Sequence, residues 1–171
     1  MAKAIFCIAT TYEQAEAIVD NLKKSGFANN DISVLLPDNE GTRDFAHEKN
    51  TKAPEGAVTG AGTGGVLGGV LGWLAGVGSL AIPGIGPFVA AGPIMAALGG
   101  AAVGATVGGL TGALVGLGIP EYEAKQYEGK LRQGNILISV HSEHSTETDK
   151  AKKIFETAGA HDIASAAEKA A

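Results

Sequence analysis

A long uncharged segment rich in glycine constrains the fold of this chain more than any other feature. Between Gly56 and Pro120 there is no Asp, Glu, Lys, Arg or His, and 21 of the 26 glycines fall in this interval. Glycine costs a solvated helix about 1 kcal/mol relative to alanine, so a helix in this segment needs a closely packed neighbour. The segment is therefore expected to pack tightly, either in a bilayer or against other chains.

Glycine recurs at every fourth position in two parts of this segment. At 3.6 residues per turn, such a row follows one stripe of a helix, and a stripe without side chains lets another helix approach closely. The period argues against strands, whose side chains alternate by two. We predict two glycine-zipper helices, over 57–80 and 94–117, that pack through ten residues called here the ladder glycines: Gly60, Gly64, Gly68, Gly72, Gly76, Gly100, Gly104, Gly108, Gly112 and Gly116.

Each of these helices is long enough to cross a membrane. A helix of this length reaches roughly 36 Å, against about 30 Å for the hydrocarbon core of a bilayer. The segment between the helices, AIPGIGPFVAAGP, holds three prolines and no charge. It is typical of a kinked turn. The sequence therefore predicts a helical hairpin over 57–118 that inserts as a unit.

The basic residues near the hairpin predict its orientation. Lysines precede the first helix and three basic residues follow the second, whereas the intervening turn has none: Lys49, Lys52, Lys125, Lys130 and Arg132. By the positive-inside tendency, we expect the inner (cytoplasmic) membrane with both termini in the cytoplasm. The alternative is a cytoplasmic protein whose hairpins are buried between subunits of a particle or filament.

The two flanks of the hairpin have the same strand–helix–strand pattern. In the first, an apolar run at 4–9 and the strand-like run DISVLLP enclose a helix whose apolar residues recur at i, i+3, i+4 and i+7. In the second, NILISVH and a weaker run around 163–166 enclose a helix with the same spacing. Such spacing indicates one buried helical face. The helical residues concerned are Ala15, Ile18, Val19, Leu22 and Ala151, Ile154, Phe155, Ala158.

Two β-α-β halves in succession predict an α+β fold of the ferredoxin-like βαββαβ class. In this sandwich, a four-stranded antiparallel sheet has both helices on one face. We assign 1–37 and 134–171 to this domain, and the hairpin is an insertion between its second and third strands. Residues 38–56 are mixed in charge and rich in turn residues, which predicts a solvated linker.

A short connecting helix is predicted over 119–133. Pro120 suits a first helical turn, Gly134 suits the end, and the charges of Glu121 with Lys125 and of Glu128 with Arg132 have favourable i, i+4 spacing. Its tyrosines, Tyr122 and Tyr127, are expected either to anchor the helix at a membrane surface or to pack on the sheet.

No residues form a recognisable catalytic site, and we expect neither an enzyme nor a cofactor. Cys7 lies in an apolar strand-like run, which favours a buried, inert thiol. His141, Glu143 and His144 are weak candidates for a metal site, because their side chains are possible zinc ligands but no second cluster completes the set. The net charge of −5 and the lack of a basic cluster exclude nucleic acid as an expected partner.

The stretch GIPEYEAKQYEGKLRQGNILISVH, the opening AIFCIATTYEQAEAIVDNLKKSGF and the glycine ladder between them resemble the bacterial general-stress or heat-induced-stress protein family. The resemblance spans nearly the whole chain. It implies a small, non-catalytic, stress-related bacterial protein with a glycine-rich apolar insertion, and it supplies no catalytic residues.

Together these observations predict a non-catalytic, self-associating stress protein with a structural or membrane-stabilising role. The expected partners are further copies of the chain and membrane lipid. Two other hypotheses remain open at this point: a domain that senses a ligand or metal through His141, Glu143 and His144, and a pore formed by assembled hairpins.

Overall fold

A computed structural model of the protein describes residues 2–37, 78–82, 86–91 and 109–167. Within these ranges the chain has a mixed α+β structure. The strands are β1 (Lys3–Ala9), β2 (Ile32–Pro37), β3 (Gly78–Ile82), β4 (Gly86–Ala91), β5 (Ile136–Ser142) and β6 (His161–Ala167). The helices are α1 (Tyr12–Lys24), α2 (Gly109–Gly116), α3 (Glu121–Arg132) and α4 (Ser145–Thr157), and a 3₁₀ turn, Asn29–Asp31, precedes β2.

The described strands form one sheet in the order β3-β4-β2-β5-β1-β6, and every neighbouring pair is antiparallel. The strands of the two flanks are thus contiguous, and β3 and β4 extend the sheet beyond β2. Cys7 of β1 and Val34 of β2 lie opposite Ile138 of β5, from its two sides. The register of β6 against β1 shifts between Phe6 and Ile8.

The predicted strand–helix–strand pattern of each flank is present, as β1-α1-β2 and β5-α4-β6. The helix α1 begins at Tyr12, directly after its N-cap residue. Thr11 caps the helix by accepting a hydrogen bond from the Gln14 amide, and the Gln14 side chain accepts from the Thr10 amide. Gly26 has φ +96°, the left-handed conformation that ends many helices.

The first face of the sheet packs against α1 and α4. Its core consists of alternate strand residues, among them Ile5, Cys7 and Ile138, and of the apolar faces of the two helices. The predicted helical face is confirmed, because Ala15, Ile18, Val19, Leu22, Ala151 and Phe155 are buried and Ile154 and Ala158 pack beside them.

The second face of the sheet is also covered, by α2 and α3. Phe6, Ile8 and Leu137 point to this side, and they pack with the helical residues Leu110, Leu114, Ala124, Tyr127 and Leu131. In the predicted sandwich, helices cover only one face of the sheet. The structure has a second helical layer on the other face. The physical reason is in the strands: β1, β2 and β5 are almost continuously apolar, as is typical of strands buried on both faces.

The central segment differs from the predicted helical hairpin where it is described. Residues 78–80, the predicted end of the first helix, belong to β3, and much of the predicted kinked turn belongs to β3 and β4. Ile82, Phe88 and Val89 are strand formers, and a Pro-Gly dipeptide typical of turns separates the two strands. Pairing with β4 also satisfies an edge of β2 that would otherwise be open.

The end of the predicted second helix is helical, as α2. The linker at 38–56 and the parts of the hairpin at 57–77 and 92–108 lie outside the described residues, so the domain boundaries stay a prediction. Among the helices of the described ranges, none is long and apolar enough to cross a membrane.

Candidate functional site

A polar pocket of about 340 Å³ lies where α1 ends and α4 begins. It is open to solvent and combines acidic, basic and imidazole side chains. The residues that line it are Ser25, Gly26, Phe27, Asp31, His141, Glu143, His144, Glu147 and Lys150.

Local hydrogen bonds between β5 and α4 shape this polar pocket. The Glu147 carboxylate accepts hydrogen bonds from the amides of Glu143 and His144, at 3.2 and 3.4 Å, and so caps the start of α4. The buried hydroxyls of Ser142 and Thr148 are 2.7 Å apart and join the strand end to the helix. Glu147 therefore holds the turn in place through its Oε2 atom.

The three predicted metal candidates line the polar pocket together. His141 ends the apolar part of β5, whereas Glu143 and His144 are exposed in the turn that follows. Among the described residues, no group of three or more His, Cys, Asp or Glu side chains is placed to hold a metal ion. Lys150 also has a structural partner, because its Nζ donates to the Ser25 carbonyl at 2.7 Å.

A larger open groove, of about 610 Å³, runs between α2 and α3. We call it the α2–α3 groove. Both helices have small residues along it, and no described atom lies within 4 Å of a Cβ added at Gly112 or Gly129. The groove is lined by Thr111, Gly112, Val115, Glu121, Lys125, Glu128, Gly129 and Arg132.

Glu128 connects the two helices across the floor of this groove. Its Oε2 accepts hydrogen bonds from the amide of Thr111, at 3.1 Å, and from the Thr111 hydroxyl. Its Oε1 accepts from Arg132 at 2.9 Å. Burial alone would raise the pKa of Glu128, but the hydrogen bonds from Thr111 and Arg132 outweigh it and lower the pKa below its ordinary value.

The solvent side of α3 has a row of alternating charges. Glu121 pairs with Lys125 at 2.8 Å, and Glu128 pairs with Arg132. The hydrogen bond from Lys125 lowers the pKa of the Glu121 carboxyl. More than half of the Glu121, Lys125 and Arg132 side chains is exposed, against 20% of Glu128. These spacings were predicted from the sequence, but the groove that they border was not.

Two of the ladder glycines, Gly112 and Gly116, lie in the described part of α2. Both are exposed, whereas Leu110 and Leu114 of the same helix are buried against the sheet. The end of the ladder thus faces away from the sheet, and no described atom lies within 4 Å of a Cβ added at either glycine. The other eight, Gly60, Gly64, Gly68, Gly72, Gly76, Gly100, Gly104 and Gly108, lie outside the described residues.

The two tyrosines of α3 have different environments. Tyr127 is 1% exposed and packs on the sheet, with its ring 6.2 Å from that of Phe6, while Tyr122 is 73% exposed. Tyr127 therefore has the predicted packing on the sheet, whereas a membrane-surface role of Tyr122 stays a prediction. Cys7 is fully buried as predicted, and burial raises the pKa of its thiol.

One part of the chain is similar to a known protein family. Residues 7–81 match the family model described as the heat induced stress protein YflT domain. No curated protein and no solved structure has a significant match to the chain. The match supports a relationship to a stress protein family and a stress-related role. It covers part of β1, all of α1 and β2 and most of β3, and it does not reach the α2–α3 groove.

Proposed function

We propose that this protein is a non-catalytic, stress-related protein that acts by self-association. The observation that carries this proposal is the outward direction of Gly112 and Gly116 on α2. The same helix uses Leu110 and Leu114 to bind the sheet, so its glycine stripe remains open for another helix. The match of residues 7–81 to a heat-induced stress domain supports the stress-related part.

The absence of charge between Gly56 and Pro120 supports a further part of the proposal, that the ladder segment is buried. We retain the inner membrane as the proposed environment, with both termini in the cytoplasm, since apolar glycine-rich helices pack well in lipid. A large particle or filament, with the ladder segments buried between subunits, is the alternative environment. In both, the ladder glycines are the contact surface, so the function rests on association and not on catalysis.

The ferredoxin-like class is also retained as a proposal for the flanks. The order β2-β5-β1-β6 and the antiparallel pairing of these strands support it. In such a domain the insertion follows β2 and precedes β5 in the sequence, and its strand β4 pairs with β2 in the sheet. The domain would then hold the ladder segments of neighbouring chains in one orientation.

Two substitutions at one position test the self-association. Leucine in Gly116→Leu fills the stripe and blocks close helix approach, whereas Gly116→Ala adds only a methyl group to the open space there. We expect the alanine variant to keep the oligomer size of the wild type and the leucine variant to lose it, as measured by native mass of the untagged chain. An unchanged oligomer in the leucine variant would contradict the proposal.

Density flotation after a carbonate wash distinguishes the two environments. The membrane proposal predicts that the chain floats with lipid after the wash. Recovery of the washed chain only as a discrete particle that sediments would exclude the membrane and favour the particle, with the association itself unaffected.

A further inference from the structure

The charged row on α3 has an internal symmetry. Glu121, Lys125, Glu128 and Arg132 are spaced by four, three and four residues, so they lie on one narrow stripe of the helix. When the row is reversed, each position that held an acidic residue holds a basic one, and each position that held a basic residue holds an acidic one. The row is therefore complementary to itself when a second copy runs in the opposite direction.

We propose that a second copy of this chain docks along the α2–α3 groove, with the two α3 helices antiparallel about a two-fold axis. An axis midway between Gln126 and Tyr127 brings Glu121 opposite the partner subunit's Arg132, and Lys125 opposite the partner subunit's Glu128. Each pair occurs twice, because a two-fold interface uses the same surface on both subunits. Antiparallel helices also place opposite ends of their dipoles together.

The shape of the groove allows this approach. Gly112 and Gly129 leave open space on its two walls, and the groove volume of about 610 Å³ can receive side chains of the second helix. Val115, partly buried at its edge, supplies apolar surface that the partner would cover.

The charged residues of α3 determine the specificity of the proposed contact more than its affinity. Three of the four charged side chains are more than half exposed, and exposed ion pairs contribute little to stability, so the charges of Glu121, Lys125 and Arg132 remain able to interact with a second helix. Opposite charges across an interface select the antiparallel register, because a parallel register or a shift by one turn brings like charges together. The inference rests on the proposed self-association, and it names the surface of one of its contacts.

A charge exchange in the full-length chain tests the pairing. Glu121→Lys and Arg132→Glu each bring like charges together across the proposed axis, whereas the double variant restores opposite charges there. The double variant also breaks both ion pairs within α3. A charge effect confined to one helix would therefore be at its largest in the double variant, while an effect across the axis would be reversed by it.

Sedimentation equilibrium of the wild type and these variants provides the measurement. We expect each single variant to raise the dissociation constant of the dimer step about tenfold, and the double variant to return it towards the wild-type value. Glu156→Lys and Lys153→Glu on α4 make the same changes in net charge on the opposite face, and they should have no effect. Thermal unfolding of each variant establishes that it is folded.

The outcomes separate this inference from the proposed function. Association that is indifferent to the single variants, or that the double variant weakens further, overturns the α3 pairing and leaves self-association through the ladder glycines intact. A wild-type chain that stays monomeric overturns both. Loss in the single variants with recovery in the double variant supports the two-fold contact.

Discussion

The hydroxyl of Tyr127 donates a hydrogen bond to the backbone carbonyl of Asp162, at 2.7 Å, and so joins α3 to the edge strand β6. The two residues are 35 positions apart in the sequence. Asp162 has φ +51°, in the left-handed region, at the start of the strand. The bond fixes the helix that borders the α2–α3 groove to the end of the sheet farthest from β3.

Removal of this hydroxyl should destabilise the domain. Tyr127→Phe keeps the buried ring but leaves the Asp162 carbonyl without its donor, which costs about 1–2 kcal/mol of unfolding free energy. Tyr122→Phe removes the hydroxyl of an exposed tyrosine in the same helix and should change stability by less than about 0.5 kcal/mol. Chemical denaturation of both variants provides the comparison, and equal losses would exclude a special role for the bond.

Gly118 should be the least replaceable of the described glycines. It has φ +96°, and an added Cβ would lie 2.5 Å from the carbonyl oxygen of Ala167 in β6. Gly26 has the same φ but open space around it. Left-handed strain alone costs roughly 1–2 kcal/mol, so Gly26→Ala should lose about that much. Gly118→Ala should lose about 3 kcal/mol, because the overlap with the strand adds to the strain.

The difference between these two glycine variants isolates the steric overlap. It can be measured by urea unfolding at one temperature. Equal losses would mean that the end of β6 moves away at no cost, and that the contact of Gly118 with the edge strand is loose.

The interhelix hydrogen bonds of Glu128 predict a pH dependence of stability. The pKa of Glu128 is lowered in the folded chain, so its contribution is fully present above the ordinary value of 4.5 and is lost as the pH falls through the folded pKa. Glu128→Gln should therefore be less stable than the wild type at neutral pH, and it should lose less stability on acidification below about pH 4.5.

Glu121→Gln is the matched control for this pH dependence. Glu121 lies in the same helix, but its partner Lys125 is exposed and the pair does not connect two helices. Its replacement should flatten the acid limb of the stability profile less than Glu128→Gln. Thermal unfolding between pH 3 and 7 measures both, and parallel profiles for the wild type and Glu128→Gln would contradict the prediction.

Cys7 should be unreactive in the folded protein. Its side chain is fully buried in β1, and burial raises the pKa of the thiol, which disfavours the reactive thiolate. A thiol reagent such as DTNB should react with the urea-unfolded chain at once, but with the native chain only at the rate of unfolding. Rapid reaction of the native chain would show that β1 is accessible.

The flanks could be predicted from the sequence because their signals are local. The spacing of Ala15, Ile18, Val19 and Leu22 indicates α1 without knowledge of the sheet, and Gly26 marks its end. The second helical layer could not be predicted with the same certainty. Its evidence was in the uninterrupted apolar character of β1 and β5, which indicates burial on two faces but does not identify what covers the second.

The strands β3 and β4 were missed for a different reason. The glycine period around them favoured a helix up to residue 80, and the prolines between 81 and 93 favoured an irregular turn. Strand formation there depends on a partner: β4 pairs with β2, with Leu35 opposite Ala90, and β3 pairs with β4. Such pairing is a tertiary effect, and it can override a local preference.

The α2–α3 groove combines predicted and unpredicted features. The ion pairs of α3 follow from i, i+4 spacing. The hydrogen bonds from Thr111 to Glu128, in contrast, join residues of two helices that are 17 positions apart in the sequence, so no local pattern predicts them. The polar pocket gives the opposite case. Its His141, Glu143 and His144 are near neighbours in the sequence and line one pocket, yet no group of three such side chains among the described residues is placed to hold a metal ion.

The mass of the untagged, full-length chain, measured by sedimentation equilibrium over a wide range of concentrations, decides whether the protein self-associates. A single chain has a mass of 17.1 kDa. We expect a larger assembly that persists on dilution and is lost in Gly116→Leu. A wild-type chain that sediments at the mass of one chain at every concentration would contradict it.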